Sequence, residues 1–168
     1  YLKKQNNIYF FPSIPCLSEG KNHNQKLENI LNINFNSFIK ILNYILDDLK
    51  QTNVITYTST IACIKAKSKN YLYAASKYGV ERYLFSLMHY FKYKRPNIQI
   101  FRLGFIRNHK KLSFIKKIIS ASPKSISEFI FLKNKKKVSK LFYYPKKWFY
   151  LKYLIILMPR FLYKKFNN

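Results

Sequence analysis

The sequence predicts an α/β fold built on a doubly wound parallel sheet. Short runs of apolar and β-branched residues, typical of buried strands, alternate with longer segments whose apolar residues recur every three or four positions. Hydrophobic residues make up 48% of the chain, which excludes a disordered protein, and 168 residues suffice for one domain with a sizeable core. Because strands that alternate with helices favour parallel pairing, we expect a sheet covered by helices on both faces.

The first half of the chain holds two predicted strands and a long helical region. Residues 7–12 form a short apolar run that a proline ends, and residues 13–24 are loop-like. Residues 25–50 have helical spacing that three asparagines interrupt, so one helix with polar positions and two helices meeting near Asn34 fit equally well. The β-branched run at 53–60 predicts the second strand.

The second half continues the alternation. The predicted elements are a basic loop at 65–70, helices at 71–93, 112–119 and 122–132, and strands at 98–103 and 138–144. The helix at 122–132 has a clear start, with Ser122 in the capping position and Pro123 in the first helical position. Gly104 allows the chain to turn sharply after the strand before it.

The net charge of +26 indicates an anionic partner, such as phosphate, lipid headgroups or nucleic acid, although a coding bias toward Lys, Asn and Tyr also accounts for much of it. Cys16 and Cys63 fit no disulfide framework, and we predict free thiols in a reducing compartment. The three histidines have no metal-ligand spacing, so we predict no metal site.

The candidate catalytic residues are Tyr73 and Lys77. Residues four apart lie on the same face of a helix, and an ammonium beside a phenol lowers the pKa of the phenol, which then exchanges its proton near neutral pH. The same spacing recurs at Tyr90/Lys94 and Tyr143/Lys147, and chance produces about two such matches in a chain of this composition. We select the first pair because small residues separate its ends and predicted strands flank it.

These residues resemble the short-chain dehydrogenase/reductase family over nearly the whole chain, from about residue 8 to residue 163. In that family a Ser or Thr ends one strand and Tyr-x-x-x-Lys opens the next helix thirteen positions on, which is the separation of Thr60 and Tyr73. An Asn on the preceding helix completes the family's tetrad, and Asn34 occupies that place. The resemblance implies a Rossmann-like sheet.

The resemblance also implies a cofactor, NAD or NADP, and a hydride transfer to or from a carbonyl carbon. Tyr73 would give or take the proton of the substrate oxygen, and Lys77 would assist it and hold the cofactor ribose. Thr60 would orient the substrate oxygen, and Asn34 would hold a water that relays protons to Lys77. The residues expected at the cofactor are Tyr73, Lys77, Gly104, Ile106 and Asn108.

Several positions depart from the family pattern. Thr60 stands in place of the usual Ser, Leu103 in place of a Pro, and Asn108 in place of a Thr. The chain has only three glycines and no Gly-x-x-x-Gly-x-Gly turn to receive a pyrophosphate. We therefore expect a fragment of the fold that lacks the first βα units, and the residue that selects NAD or NADP lies outside it.

We divide the chain into a catalytic portion at 1–145 and a basic amphipathic tail at 146–168. Residues 146–165 mix aromatic, aliphatic and basic side chains, as a helix at a membrane interface does, and packing on the domain is the alternative. Together with the basic loop at 65–70, the tail resembles membrane-associated reductases of polyprenyl-phosphate ketopentoses. This resemblance implies a small-molecule or lipid-linked carbonyl substrate and a cytoplasmic protein, peripheral on the inner face of the membrane.

Two other functions stay open. A basic protein with interleaved aromatic residues can bind nucleic acid or anionic membrane without catalysis, although nucleic acid is the disfavoured partner. A truncated reductase can keep the fold and lose the activity. The family resemblance also implies association into a homo-oligomer.

Overall fold

The computed structural model describes residues 7–10, 23–50, 52–64, 71–91, 96–104, 106 and 120–146. The strands are β1 (Asn7–Phe10), β2 (Val54–Thr60), β3 (Asn97–Leu103) and β4 (Lys140–Tyr144). The helices are α1 (His23–Leu31), α2 (Ser37–Leu46), α3 (Tyr71–Phe91) and α4 (Pro123–Asn134). A turn of π-helix (Asn32–Asn36) joins α1 to α2, and a 3₁₀ turn (Ile61–Cys63) follows β2.

The four strands pair in the order β1-β2-β3-β4, and every pair is parallel. The predicted parallel α/β sheet is thus confirmed, with strand ends that differ from the prediction by one or two residues. The helical region from residue 25 combines both predicted alternatives, because α1 and α2 form one continuous path with a π-helical turn around Asn34. The predicted helix at 112–119 lies outside the described residues.

One side of the sheet, here called the α3 face, packs against α2 and α3. Successive side chains of a strand point to opposite faces of the sheet, and the strands pair in register. Apolar side chains from neighbouring strands therefore form rows across this face. Its fully buried members include Ile55, Tyr57, Ile98, Ile100, Leu42, Val80 and Leu84. At Gly79 a Cβ would lie 3.0 Å from the Phe35 ring, so glycine permits the close approach of α3 to the π-helical turn.

The opposite side, here called the α4 face, is covered by α4 alone among the described helices. A smaller core of Phe101, Ala121, Ile126 and Ile130 lies there. Ser122 caps α4 as predicted, because its hydroxyl accepts a hydrogen bond from the Ser125 backbone N–H at 3.1 Å. Beside this core lies a largely apolar cavity of about 660 Å³.

A polar chain of hydrogen bonds joins α4 to the sheet. The Thr56 hydroxyl donates to Asn134 Oδ1 at 3.1 Å, and Asn134 Nδ2 donates to the Tyr9 hydroxyl at 3.0 Å. Thr56 and Asn134 are both buried, so these bonds satisfy groups that water does not reach. In the part of the chain described, no helix is both long and apolar enough to cross a membrane.

Candidate active site

Tyr73 and Lys77 lie side by side in the first turns of α3, where the helix packs against β2. The Lys77 Nζ atom is 5.8 Å from the centroid of the Tyr73 ring and 5.0 Å from the centroid of the Tyr57 ring. Tyr57 belongs to β2, so the ammonium sits between its own helix and the middle of the sheet. These distances permit favourable attraction between the cation and both aromatic rings.

Lys77 is an almost fully buried lysine, with 2% of its surface exposed. Its Nζ donates a hydrogen bond to the Thr58 carbonyl oxygen of β2 at 3.1 Å. Burial lowers the pKa of Lys77 to about 8, although Cys63 and Glu81 act in the opposite direction. Lys77 is therefore an ammonium at neutral pH and loses its proton within the range in which many enzymes work.

Tyr73 is half-buried, and its environment favours the neutral phenol. Burial raises the pKa of Tyr73, and the nearby Cys63 thiol raises it further. The prediction of a lowered Tyr73 pKa is wrong for the described structure, because desolvation of the phenolate is the largest effect on this group. At neutral pH Tyr73 therefore carries its proton and is suited to donate it.

Asn34 is fully buried in the π-helical turn. Its Nδ2 donates a long hydrogen bond of 3.4 Å to the Ser76 hydroxyl, which in turn donates to the Tyr73 carbonyl oxygen at 2.9 Å. The structure thus connects Asn34 to the turn that carries Tyr73 and Lys77. A π-helical turn often marks a functional position in a helix.

Thr60 ends β2 and caps the 3₁₀ turn that follows. Its hydroxyl oxygen accepts a hydrogen bond from the Ala62 backbone N–H at 3.3 Å. This turn reaches α3 through Cys63, whose Sγ lies 3.7 Å from the Ala74 carbonyl oxygen and 3.4 Å from the Ser59 hydroxyl. Cys63 is a free, half-buried thiol, as predicted, and burial raises its pKa. Cys16 lies outside the described residues.

Gly104 and Ile106, two of the other predicted cofactor residues, lie at the same end of the sheet. The Gly104 backbone N–H donates to the Tyr144 carbonyl oxygen at 2.8 Å. Ile106 is 43% exposed, pairs with Ala121, and lines the cavity beside α4, whereas Tyr73 and Lys77 belong to the α3 face. Asn108, the basic loop at 65–70 and the tail beyond residue 146 lie outside the described residues.

Sequence reasoning missed the buried ion pair of Glu81 and Arg102. Glu81 is fully buried on α3, one turn beyond Lys77, and Arg102 extends to it from β3. The available signal was an acid four residues after the candidate lysine, in a chain with only six acidic residues. Tyr57, whose buried hydroxyl has no hydrogen-bond partner in the described part of the chain, was predicted only as a strand residue.

The described residues fit one end of a nicotinamide cofactor. Tyr73 and Lys77 supply a neutral phenol and an ammonium beside the carboxyl ends of parallel strands, where such sheets bind their ligands. No glycine-rich turn in the sequence fits the pyrophosphate. Among the described residues, no group of three or more His, Cys, Asp or Glu side chains could hold a metal ion.

No protein-family model and no curated protein matches the chain. Solved structures do match. The NADP-bound angucycline C-6 ketoreductase LanV has a TM-score of 0.67 at 11% identity, over 82% of this chain and 60% of that one. Serine dehydrogenase from Escherichia coli has a TM-score of 0.68 at 11% identity, over 83% and 63%.

A short-chain dehydrogenase from Salmonella enterica serovar Typhi has a TM-score of 0.62 at 15% identity, over 84% of this chain and 63% of that one. At these identities the likeness shows a shared fold: the chain has the Rossmann-like fold of short-chain dehydrogenases. It spans about three fifths of the length of these proteins. None of the three is described as a reductase of polyprenyl-phosphate sugars, so they do not support that narrower resemblance.

Proposed function

We propose that this chain is the catalytic part of an NADP(H)-dependent carbonyl reductase of the short-chain dehydrogenase type. One observation carries the proposal: a protonated, half-buried tyrosine lies beside a buried lysine where α3 packs against the parallel sheet. The shared fold supports it, because LanV and a Shigella flexneri short-chain dehydrogenase of similar structure are NADP complexes.

In this proposal the cofactor supplies a hydride when it is bound, and the chain supplies the proton and the geometry. Tyr73 donates its proton to the carbonyl oxygen of the substrate. Lys77 holds its ammonium next to the phenol and offers hydrogen-bond donors to ribose hydroxyls. Thr60 donates a hydrogen bond to the substrate oxygen, since its own hydroxyl proton is not used by the bond it accepts from Ala62.

The protonation states favour reduction over oxidation near neutral pH. A ketone needs a proton donor as the hydride arrives, and burial keeps the Tyr73 phenol neutral. Alcohol oxidation needs a base instead, and the raised pKa of Tyr73 opposes the phenolate until the solution is alkaline. We therefore expect the rate of ketone reduction to fall with rising pH, once Lys77 loses its charge above pH 8.

The proposal extends to the substrate and its location. The net charge of +26 suits a carbonyl compound that carries phosphate or is linked to a lipid, and it suits peripheral contact of residues 146–165 with an anionic membrane. A cytoplasmic location, association into a homo-oligomer and the division at residue 145 belong to the same proposal.

The test is oxidation of NADPH by the purified chain in the presence of a panel of ketones. Tyr73→Phe should reduce the rate about 10²- to 10⁴-fold, the usual contribution of a general acid. Tyr90→Phe is the matched control, because Tyr90 is 81% exposed and also precedes a lysine by four residues.

Full activity in Tyr73→Phe would exclude the proposed role. If NADPH is not oxidised with any ketone, and the chain binds nucleic acid or anionic vesicles with a steep dependence on salt, the non-catalytic basic protein replaces the reductase.

A further inference from the structure

We infer that Glu81, held in place by Arg102, is a positioning residue that keeps Lys77 a charged ammonium beside Tyr73. The catalytic meaning of this inference rests on the proposed function. The electrostatic part concerns only residues of this chain and is tested without any reaction.

Glu81 is a fixed carboxylate in the interior of the protein. It has no exposed surface, and Arg102 Nε lies 2.9 Å and 3.0 Å from its two carboxylate oxygens, with Nη2 also bonded to it. Arg102 Nη1 donates to the Tyr143 hydroxyl at 3.1 Å, and the strand register places Tyr143 directly beside Arg102. Because a buried carboxylate is very costly without such partners, this grip fixes the position and charge of Glu81.

Lys77 and Glu81 are four residues apart on the buried face of α3. Side chains at this spacing are neighbours on a helix, so the carboxylate lies one turn beyond the ammonium. Its partner Arg102 approaches from β3. Glu81 therefore places a buried carboxylate one helical turn from the buried Lys77 ammonium.

The described groups that face Lys77 are Tyr73 and Glu81 on α3, Tyr57 on β2 and Cys63 in the 3₁₀ turn. Burial raises the pKa of Tyr57, Tyr73 and Cys63, so all three are neutral near pH 7. Of these four groups, Glu81 alone brings a negative charge at neutral pH. Cys63 and Glu81 both oppose the effect of burial on the pKa of Lys77, and Glu81 is the one held as a carboxylate by Arg102.

The competing explanation is that Glu81 and Arg102 only fasten α3 to the sheet. If the ion pair has only this structural role, replacing Glu81 changes the free energy of unfolding and leaves the midpoint of the Lys77 titration unchanged. A positioning role changes the titration of Lys77 even in a variant that folds normally. The midpoint of the Lys77 titration therefore distinguishes the two explanations.

The experiment follows the lysine Cε and Nζ resonances of the full chain by NMR as pH rises, after labelling of lysine with ¹³C and ¹⁵N. The Lys77 signal is identified by its loss in Lys77→Met. We expect Glu81→Gln to lower the Lys77 midpoint by about one pH unit, which is the lower end of the effect of an adjacent opposite charge. Glu128→Gln, at an exposed position on α4, should leave the midpoint unchanged.

A second variant protects the test against misfolding. Glu81→Gln leaves Arg102 without its carboxylate, whereas Glu81→Gln combined with Arg102→Gln replaces the ion pair by two neutral amides. The Lys77 midpoint should fall in this double variant as well. An unchanged midpoint in either folded variant overturns the inference.

The outcome is independent of the proposed function. A lowered Lys77 midpoint in a chain that oxidises no NADPH supports the electrostatic inference and contradicts the reductase. An unchanged midpoint in a chain whose activity depends on Tyr73 contradicts the inference and supports the reductase.

Discussion

The two faces of the sheet are built from the same strands and are filled in different ways. On the α3 face, two helices cover the strands, and the buried groups include a lysine, a glutamate and an asparagine. On the α4 face, the core has four buried apolar residues within the described part of the chain, and a cavity of about 660 Å³ opens beside them. Tyr9 and Phe131, both more than two fifths exposed, line that cavity.

This difference between the two faces shows that charged side chains are buried where several neighbouring elements can bond to them. Lys77 and Glu81 persist in the interior because the surrounding elements offer each of them fixed partners: the Thr58 carbonyl, the rings of Tyr57 and Tyr73, and the Arg102 guanidinium. The α4 face uses neutral hydrogen bonds instead. The residues suited to acid–base chemistry are therefore on the α3 face, where these partners hold them.

The largest expected effect is a loss of stability when a core residue of either face is truncated. Leu42→Ala, on the α3 face, should lower the free energy of unfolding by about 2–5 kcal/mol, because the fully buried site cannot collapse around the lost side chain. Ile126→Ala, beside the cavity, should cost about 2 kcal/mol, the lower end of that range, since fewer neighbours lose contact. Urea unfolding of both variants measures the difference, and equal losses would show that the two faces are packed alike.

A change at Lys77 should separate stability from function. Lys77→Met should raise the free energy of unfolding by about 1–3 kcal/mol at pH 7, while it removes the proposed activity. The buried lysine has a folded-state pKa of about 8 and an ordinary value near 10.5, so the unfolded chain binds more protons between those values. The stability of the unmodified protein therefore rises with pH across this window.

The gain in Lys77→Met should accordingly be largest below pH 8 and shrink as the pH approaches 10.5. Unfolding curves at several pH values measure it, with Lys40→Met at an exposed position of α2 as the control. If Lys77→Met instead lowers the free energy of unfolding at pH 7, the buried ammonium stabilises the folded protein and this prediction is wrong.

The smallest effect concerns the hydrogen bonds of the α4 face. Thr56→Val should cost about 1 kcal/mol, because it removes the bond to Asn134 Oδ1 and keeps the shape of the side chain. Ser127→Ala is the control, since its exposed hydroxyl bonds only to the Lys124 carbonyl of its own helix. The comparison is made by thermal unfolding, and a cost at Ser127 equal to that at Thr56 would show that burial does not strengthen the bond.

Local patterns in the sequence were sufficient for the elements and for one side-chain pair. Short runs of apolar and β-branched residues predicted the strands, and Ser122-Pro123 predicted the start of α4, because both signals depend on neighbouring residues only. The spacing of Tyr73 and Lys77 placed both on one helical face for the same reason. The roles predicted for Thr60, Asn34 and the cofactor residues stay predictions, although the structure places Asn34 and Ser76 against the Tyr73 turn.

By itself the sequence determined the alternation of strands and helices, the parallel sheet and the juxtaposition of Tyr73 and Lys77. The strands, the helices and the side-chain pair follow from patterns within single segments, and the parallel sheet follows from the alternation of strands with helices. Only the tertiary structure decided that Lys77 is buried, that Tyr73 holds its proton more firmly than in water, and that Arg102 reaches Glu81 across 21 residues of sequence. Those properties depend on desolvation and on charges from other elements, which no pattern along a single segment records.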